Sequence, residues 1–240
     1  MFIDFGEEMI IRMVFFDLGD TLVEIRPDVH ADSAQEISFT SGRVVKSNDL
    51  RRAIKDEWVC RNGSEDIGWV ITEESEQCYW QRFYRNVLRR LNVNAPTQPL
   101  LDLLSQRAAD PHSFTCFDDV AGVLEALQQR DVGIGLISNA FPSARQILDY
   151  LHLTHWFEPL VLSYEHPWTK PTPDIYNHAL HCARVLPEQA VFVDDRPKFV
   201  EGAANVHMEA KLIDRENIYR NERNRILGLG ELLEVLQTLQ

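Results

Sequence analysis

The sequence predicts an α/β fold: a parallel sheet covered by helices on both faces, with a helical segment inserted near its start. Three observations carry that prediction. Short apolar runs stop abruptly at polar or acidic residues: Met13 to Phe16 before Asp17, Ile134 to Ile137 before Ser138, and Val191 to Val193 before Asp194. Such runs read as buried parallel strands rather than half-exposed antiparallel ones. From residue 120 onward, strand-like and helix-like stretches alternate regularly, as they do when helical crossovers join parallel strands. Between residues 28 and 111 the texture is different, with helical periodicity, several Trp and Tyr and no convincing strand. On this reading residues 1–27 and 112–240 form the α/β core and residues 28–111 a helical cap.

The elements follow in order. After the first strand, Gly19 and Asp20 signal a tight turn, and Glu24 to Pro27 read as a short hairpin or flap. Within the insertion, Ser47 and Asn48 start a helix carrying Leu50, Ile54 and Trp58. The Gly- and Asn-containing stretch from Arg61 to Trp69 is a loop. Thr72, with acids close behind it, is a capping-box candidate ahead of a helix whose Trp80, Phe83, Tyr84, Val87 and Leu91 share one face. Leu100 to Ala108 is a further helix, stopped by Asp110-Pro111. The second half reads as helices at 120–129, 143–151, 173–183, 199–205 and 229–239, with strands at 132–137, 159–162, 190–193 and 210–213. The charged, Asn-rich run from Asp214 to Arg225 reads as a solvated surface segment.

The composition narrows the classes of function. The 240 residues are 45% hydrophobic and 25% charged, ordinary for a globular protein, with a formal net charge of -13. Such a charge argues against nucleic acid or an anionic membrane as partner. It also denies an anionic substrate any help from the global field, so attraction must come from local cations or a metal. The four cysteines, at 60, 78, 116 and 182, form no C-x-x-C pair. They fit buried thiols in a reducing compartment, which sets the expectation of a cytoplasmic location. No apolar run is long enough to cross a bilayer. The opening MFIDFGEEMIIRM is acidic and lacks the basic start of a signal peptide, and Met1, Met9 and Met13 are alternative starts.

Four constellations carry the chemistry. Asp17 stands at the carboxyl end of a predicted strand, where ligands bind in open α/β sheets. Ser138 and Asn139 follow a second strand and offer a hydroxyl and free backbone amides, though a lone Ser there is often just a helix cap. Lys170 precedes Pro171 and Pro173 at the entry to a helix, a setting that holds a cation rigidly enough to neutralise a carboxylate or a transferring phosphoryl group. Asp194 and Asp195 end a third strand. Two carboxylates there are costly without a compensating cation, and a hard ion with oxygen ligands, Mg²⁺, is the natural one.

Taken together and in this order, these four stretches resemble the motifs of the haloacid dehalogenase superfamily. The resemblance runs from about Met13 to Asp214, in the branch with a helical cap inserted after the first motif. It implies a Rossmann-like core and a set of roles. Asp17 would be the covalent nucleophile, forming an aspartyl-phosphate. Asp17, Asp195 and the carbonyl of Gly19 would hold Mg²⁺, with Asp194 behind them orienting Lys170 or a metal-bound water. Ser138, the amide of Asn139 and Lys170 would bind the phosphoryl oxygens, and Thr21 would brace the loop. The implied activity is a Mg²⁺-dependent phosphatase or phosphotransferase acting on a small phosphorylated metabolite.

The sequence departs from that pattern in two places. Family phosphatases carry a second Asp two residues after the nucleophile, as acid and then base; here that position is Gly19. Asp20, next along, is expected to point elsewhere. Loss of a general acid/base typically costs ~10²–10⁴ in rate. Phe199 stands where related sequences often place Asn. A dehalogenase would tolerate Gly19, since a halide leaves without a proton, but lacks the acidic pair and the metal. A phosphonatase would need a cap Lys for a Schiff base, with Lys46 and Lys55 as candidates. A vestigial, non-catalytic protein is the remaining alternative. His178 with His181, and Arg82 with Arg85 and Arg89, read as ordinary core or solvated residues. Gly63 to Trp69 is the candidate specificity loop. Substrate identity and oligomeric state leave no mark on the sequence.

Overall fold

The computed structural model describes residues 10–60 and 67–238. Six strands form one sheet: β1 (Met13–Phe16), β4 (Gly133–Ser138), β5 (Leu160–Leu162), β6 (Ala190–Asp194), β7 (Glu209–Ile213) and β8 (Arg225–Ile226). Their order is β5-β4-β1-β6-β7-β8 and every pairing is parallel. β1 is therefore central, with all four of its residues buried. Alternation along the strands divides the core. Val14, Phe16, Leu136, Val191 and Val193 face helices α5 (Val120–Gln129), α6 (Ala144–Tyr150) and α9 (Leu229–Thr238). Met13, Phe15, Ile137 and Phe192 face α7 (Pro173–Ala183) and α8 (Pro197–Ala204). Gly202 permits α8 to come close, since a Cβ there would stand 2.7 Å from Pro171 and 2.9 Å from the Tyr176 hydroxyl.

Among the described residues, the insertion is four helices: α1 (Pro27–Ser41), α2 (Ser47–Cys60), α3 (Glu73–Arg90) and α4 (Gln98–Ala109). It has a hydrophobic cluster of its own, centred on Ile37, Leu50, Tyr79, Phe83, Val87, Leu88 and Leu104, to which Phe141 of the α/β part adds a ring. The chain enters through β2 (Val23–Ile25) and leaves through β3 (Phe114–Cys116), which pair antiparallel as a two-stranded ribbon. The flap expected at residues 24–27 is thus half of a ribbon whose partner lies about ninety residues on. Too short for a periodic signature, β3 goes unpredicted.

Three further expectations change. The α3 capping box is reciprocal between Thr72 and the hydroxyl of Ser75, not with an acid. The run from Asp214 to Arg225 is solvated only in its middle. Asp214 is buried and accepts bonds from the Ile218 and Tyr219 amides and from Arg225, while Arg225 lies in β8. The cysteines are free, but Cys60, Cys78 and Cys182 are exposed rather than buried, and Cys116 is half-buried. Among the described residues, no helix is long and apolar enough to cross a membrane.

Candidate active site

Parallel pairing brings the carboxyl ends of β1, β4 and β6 side by side, and with them Asp17, Ser138 and Asp194. Asp17 Oδ1 accepts from Ser138 Oγ at 3.0 Å and from Lys170 Nζ at 2.6 Å. The same ammonium reaches Asp194 Oδ2 at 2.6 Å. Lys170 and Asp194 are wholly buried, and Asp17 is 8% exposed. Asn139 bonds Lys170 twice through the backbone, accepting from its amide at 2.7 Å and donating to its carbonyl at 2.9 Å. Its side chain therefore pins the lysine. The two departures from the family pattern also acquire surroundings. Phe199 lies under the Lys170 ammonium, its ring centre 4.9 Å from Nζ, with Phe192 at 5.2 Å. A Cβ added at Gly19 would meet nothing within 4 Å.

One ammonium is shared among too many carboxylates. Burial alone would push the Lys170 pKa down, but Asp17 and Asp194 more than offset it and hold the pKa above its ordinary value. Asp194 is pushed up, first by burial and then by the like charge of Asp17, against the pull of Lys170. Asp195 is pushed well up by desolvation and by the charges of Asp194 and Asp20, with Arg196 offsetting only part. Carboxylate oxygens of Asp17, Asp194 and Asp195 lie within 4.8 Å of one another. An all-oxygen, acid-rich set short of positive charge suits a hard divalent cation, so the residues present fit Mg²⁺.

Above this floor opens a cavity of about 200 Å³, lined by Asp17, Gly19, Asp20, Ser138, Asn139, Asp195 and Arg196 together with a wall of aromatic and aliphatic side chains. Asp20 therefore faces the site, contrary to the expectation that it points away. A left-handed φ of 55° at Asp20 turns the loop and places it on the concave wall. Although it keeps solvent exposure, desolvation there raises its pKa against the pull of Arg196 and Lys55. Thr21 is fully buried with no partner for its hydroxyl among the described residues; its carbonyl instead accepts from Arg215 Nη2 at 2.8 Å. Arg215 also grips Asp119 through both terminal nitrogens and stacks on Phe117. Neither Lys46 nor Lys55 lines the cavity; Lys55 pairs with Glu216 at 2.6 Å. Arg82 lies over the Trp69 and Tyr79 rings, and His178 rests against His166 and Trp168. Of the candidate loop, positions 63–66 lie outside the described residues; Ile67 lines the cavity.

Sequence reasoning missed Arg196, Arg215 and Glu76. Arg196 stacks on Trp58 across the cavity. Buried Glu76 on α3 accepts from the Ser143 amide at 2.9 Å, the Ser143 hydroxyl at 2.6 Å and the Trp80 indole at 3.1 Å, tying the helical block to the start of α6. An acid on the aromatic face of the α3 helix was the available signal.

Fold and cluster together define a hydrolase class built on carboxylates at the ends of parallel strands. The family model for haloacid dehalogenase-like hydrolases matches residues 11–207, and the chain belongs to that family. It is 25% identical over 239 residues to a glyceraldehyde 3-phosphate phosphatase of Pyrococcus furiosus, covering 95% of this chain and 93% of the relative. Among solved structures, a HAD hydrolase of Bacillus subtilis bound to magnesium superposes with a TM-score of 0.70 at 15% identity, covering 95% of this chain and 99% of the other. The L-2-haloacid dehalogenase of Xanthobacter autotrophicus superposes at 0.65 and 17% identity, covering 96% and 100%. Likeness at that identity speaks for the fold alone.

Proposed function

We propose that this hydrolase is a Mg²⁺-dependent phosphatase, or phosphotransferase, acting on a small phosphorylated molecule through a phospho-Asp17 intermediate. The single observation that carries the reading is the cluster of Asp17, Asp194 and Asp195 around one lysine, a donor set short of cation. Ser138 and Lys170 both bond Asp17 Oδ1, which orients the carboxylate and leaves Oδ2 as the attacking oxygen. Attack forms an Oδ2–phosphorus bond and breaks the bond from phosphorus to the leaving oxygen, which keeps the electron pair and takes a proton from solvent water to become the alcohol. Water then attacks the same phosphorus, gives up a proton to solvent, and Asp17 departs as carboxylate. Lys170 and the backbone after Ser138 offset charge on the phosphoryl oxygens. Asp17, Asp195 and the Gly19 carbonyl would hold Mg²⁺, which supplies charge neutralisation at the phosphoryl group. Asp194 fixes Lys170, and Arg215 holds the turn through the Thr21 carbonyl.

Residues 28–111 would act as a cap over the core of residues 1–27 and 112–240. Four unpaired thiols accord with a reducing, cytoplasmic setting. The acidic pair favours phosphoryl transfer over dehalogenation, and the intact Asp17–Lys170–Asp194 network favours an enzyme over a vestigial protein. The test is phosphate release from a panel of phosphomonoesters and acyl phosphates, with Mg²⁺ and with chelator. Metal-dependent release is expected. No release from any substrate at millimolar Mg²⁺, without even a single-turnover burst, would overturn the reading.

A further inference from the structure

We infer that the cavity selects phosphomonoesters whose alcohol is small, uncharged and apolar, a single ring or a short branched chain, over those bearing a second anionic group. The inference rests on the phosphoryl transfer proposed above and adds the class of leaving group. Trp58 and Trp80 of the helical block pack with Phe141 of the core, ring centres 6.4 and 4.8 Å from it, and with Phe114 and Ile147 they line the cavity as an apolar wall, with Phe199 also in the lining. Such a wall rewards a planar apolar group and offers little to offset the water that a carboxylate would lose.

Charge points the same way. Among the described residues, Arg196 is the one cation lining the cavity. Its guanidinium lies 5.2 Å from the Trp58 ring centre and 5.7 Å from that of Phe199, set against the rings that an apolar group would contact. Lys170 lies beneath the floor, shared by Asp17 and Asp194. A carboxylate carried alongside the phosphoryl group would also meet Glu24 and Asp20. At ~15 Å³ for each water-sized group, a cavity of about 200 Å³ has room for a phosphoryl group and one ring.

Two phosphonates that resist hydrolysis test this on the full chain by titration calorimetry at equal free Mg²⁺: benzylphosphonate and phosphonoacetate. Benzylphosphonate should bind at least tenfold more tightly. Trp58→Leu and Phe114→Leu, each checked by its melting curve, should remove most of that preference; Phe114 is only partly buried, so its variant remains informative if loss of Trp58 disturbs the block. Equal affinities, tighter phosphonoacetate binding, or a preference untouched in a folded variant would overturn the inference. Turnover of acetyl phosphate, whose leaving group makes little use of the wall, reports separately on phosphoryl transfer. Its failure with the binding preference intact would sink the transfer reading alone.

Discussion

The floor of the cavity and its roof are built on opposite physical terms. The floor is charged, wholly buried in part, and cross-bonded at 2.6–3.0 Å between side chains from neighbouring strands and the turn before α7. The roof is aromatic, contributed largely by a block of helices with its own core, and tied to the floor's frame by a few contacts such as Glu76 to Ser143 and Lys55 to Glu216. A buried charge network tolerates almost no change, because removing one partner strands another. An apolar wall tolerates volume-conserving change at little cost. On the proposed reading, reaction type and selectivity would be held by separate sets of residues, and the two should respond differently to mutation.

The largest effect is expected at the floor. Asp17→Asn should lower turnover to background while the melting temperature stays near that of the wild type, measured by steady-state kinetics and thermal unfolding. Turnover retained within tenfold would break the division at once. Asp195→Ala should next remove a Mg²⁺ site that calorimetry detects in the wild-type protein. No detectable site in the wild type at millimolar Mg²⁺ would mean that the floor is neutralised some other way.

A gain of function sharpens the comparison. The Cβ position at Gly19 is open and the backbone there needs no positive φ. Gly19→Asp should raise turnover of alkyl phosphates by ~10–10², part of the range general acid/base catalysis supplies. Aryl and acyl phosphates, which leave without a proton, should gain less in the first step. A wild type already fast on alkyl phosphates, slowed by Asp20→Asn, would assign the proton to Asp20.

At the junction, Glu76→Ala strands the Ser143 and Trp80 donors and should cost on the order of 2–4 kcal/mol in chemical denaturation. A double-mutant cycle with Ser143→Ala should recover part of that loss. The smallest effect is expected away from both regions. Asp214 is buried, yet the Ile218 and Tyr219 amides and Arg225 outweigh that and hold its pKa below the usual carboxylate range. Its folded pKa is depressed, so its contribution is present at neutral pH and lost as pH falls through the folded value. Asp214→Asn should therefore cost on the order of 2 kcal/mol at pH 7, and the gap from wild type should close as pH falls below the ordinary carboxylate range. A gap that does not change with pH would refute the ionic part of the claim.

The floor was legible in the sequence because each strand announces itself as an apolar run and ends on its functional residue. Asp17, Ser138 and Asp194 are brought together by register alone. Lys170 was legible from the prolines around it. Partnerships across long separations left no trace: Arg215 meets the Thr21 carbonyl 194 positions away, and Glu76 meets Ser143 at a separation of 67. Helix α1 is hard to place because it buries only Ser33, Ala34 and Ile37, too few apolar residues for a clear stripe. Asp20 was misjudged because its direction depends on a left-handed turn that its neighbours do not specify.

The β2–β3 ribbon makes the molecule separable. Ile25 pairs with Phe114, and the Arg26 amide donates to the Ser113 carbonyl at 2.9 Å. The chain thus leaves for the helical block and returns at nearly the same point, with strand partners ~5 Å apart. A tight two-residue turn could bridge that gap, converting the crossing into an ordinary hairpin and excising the block without moving β1. If the proposed preference among alcohols resides in the roof, such a shortened chain should lose it. The same junction would accept a foreign helical segment with matched ends, which makes it the natural place to graft a new roof onto an unchanged floor.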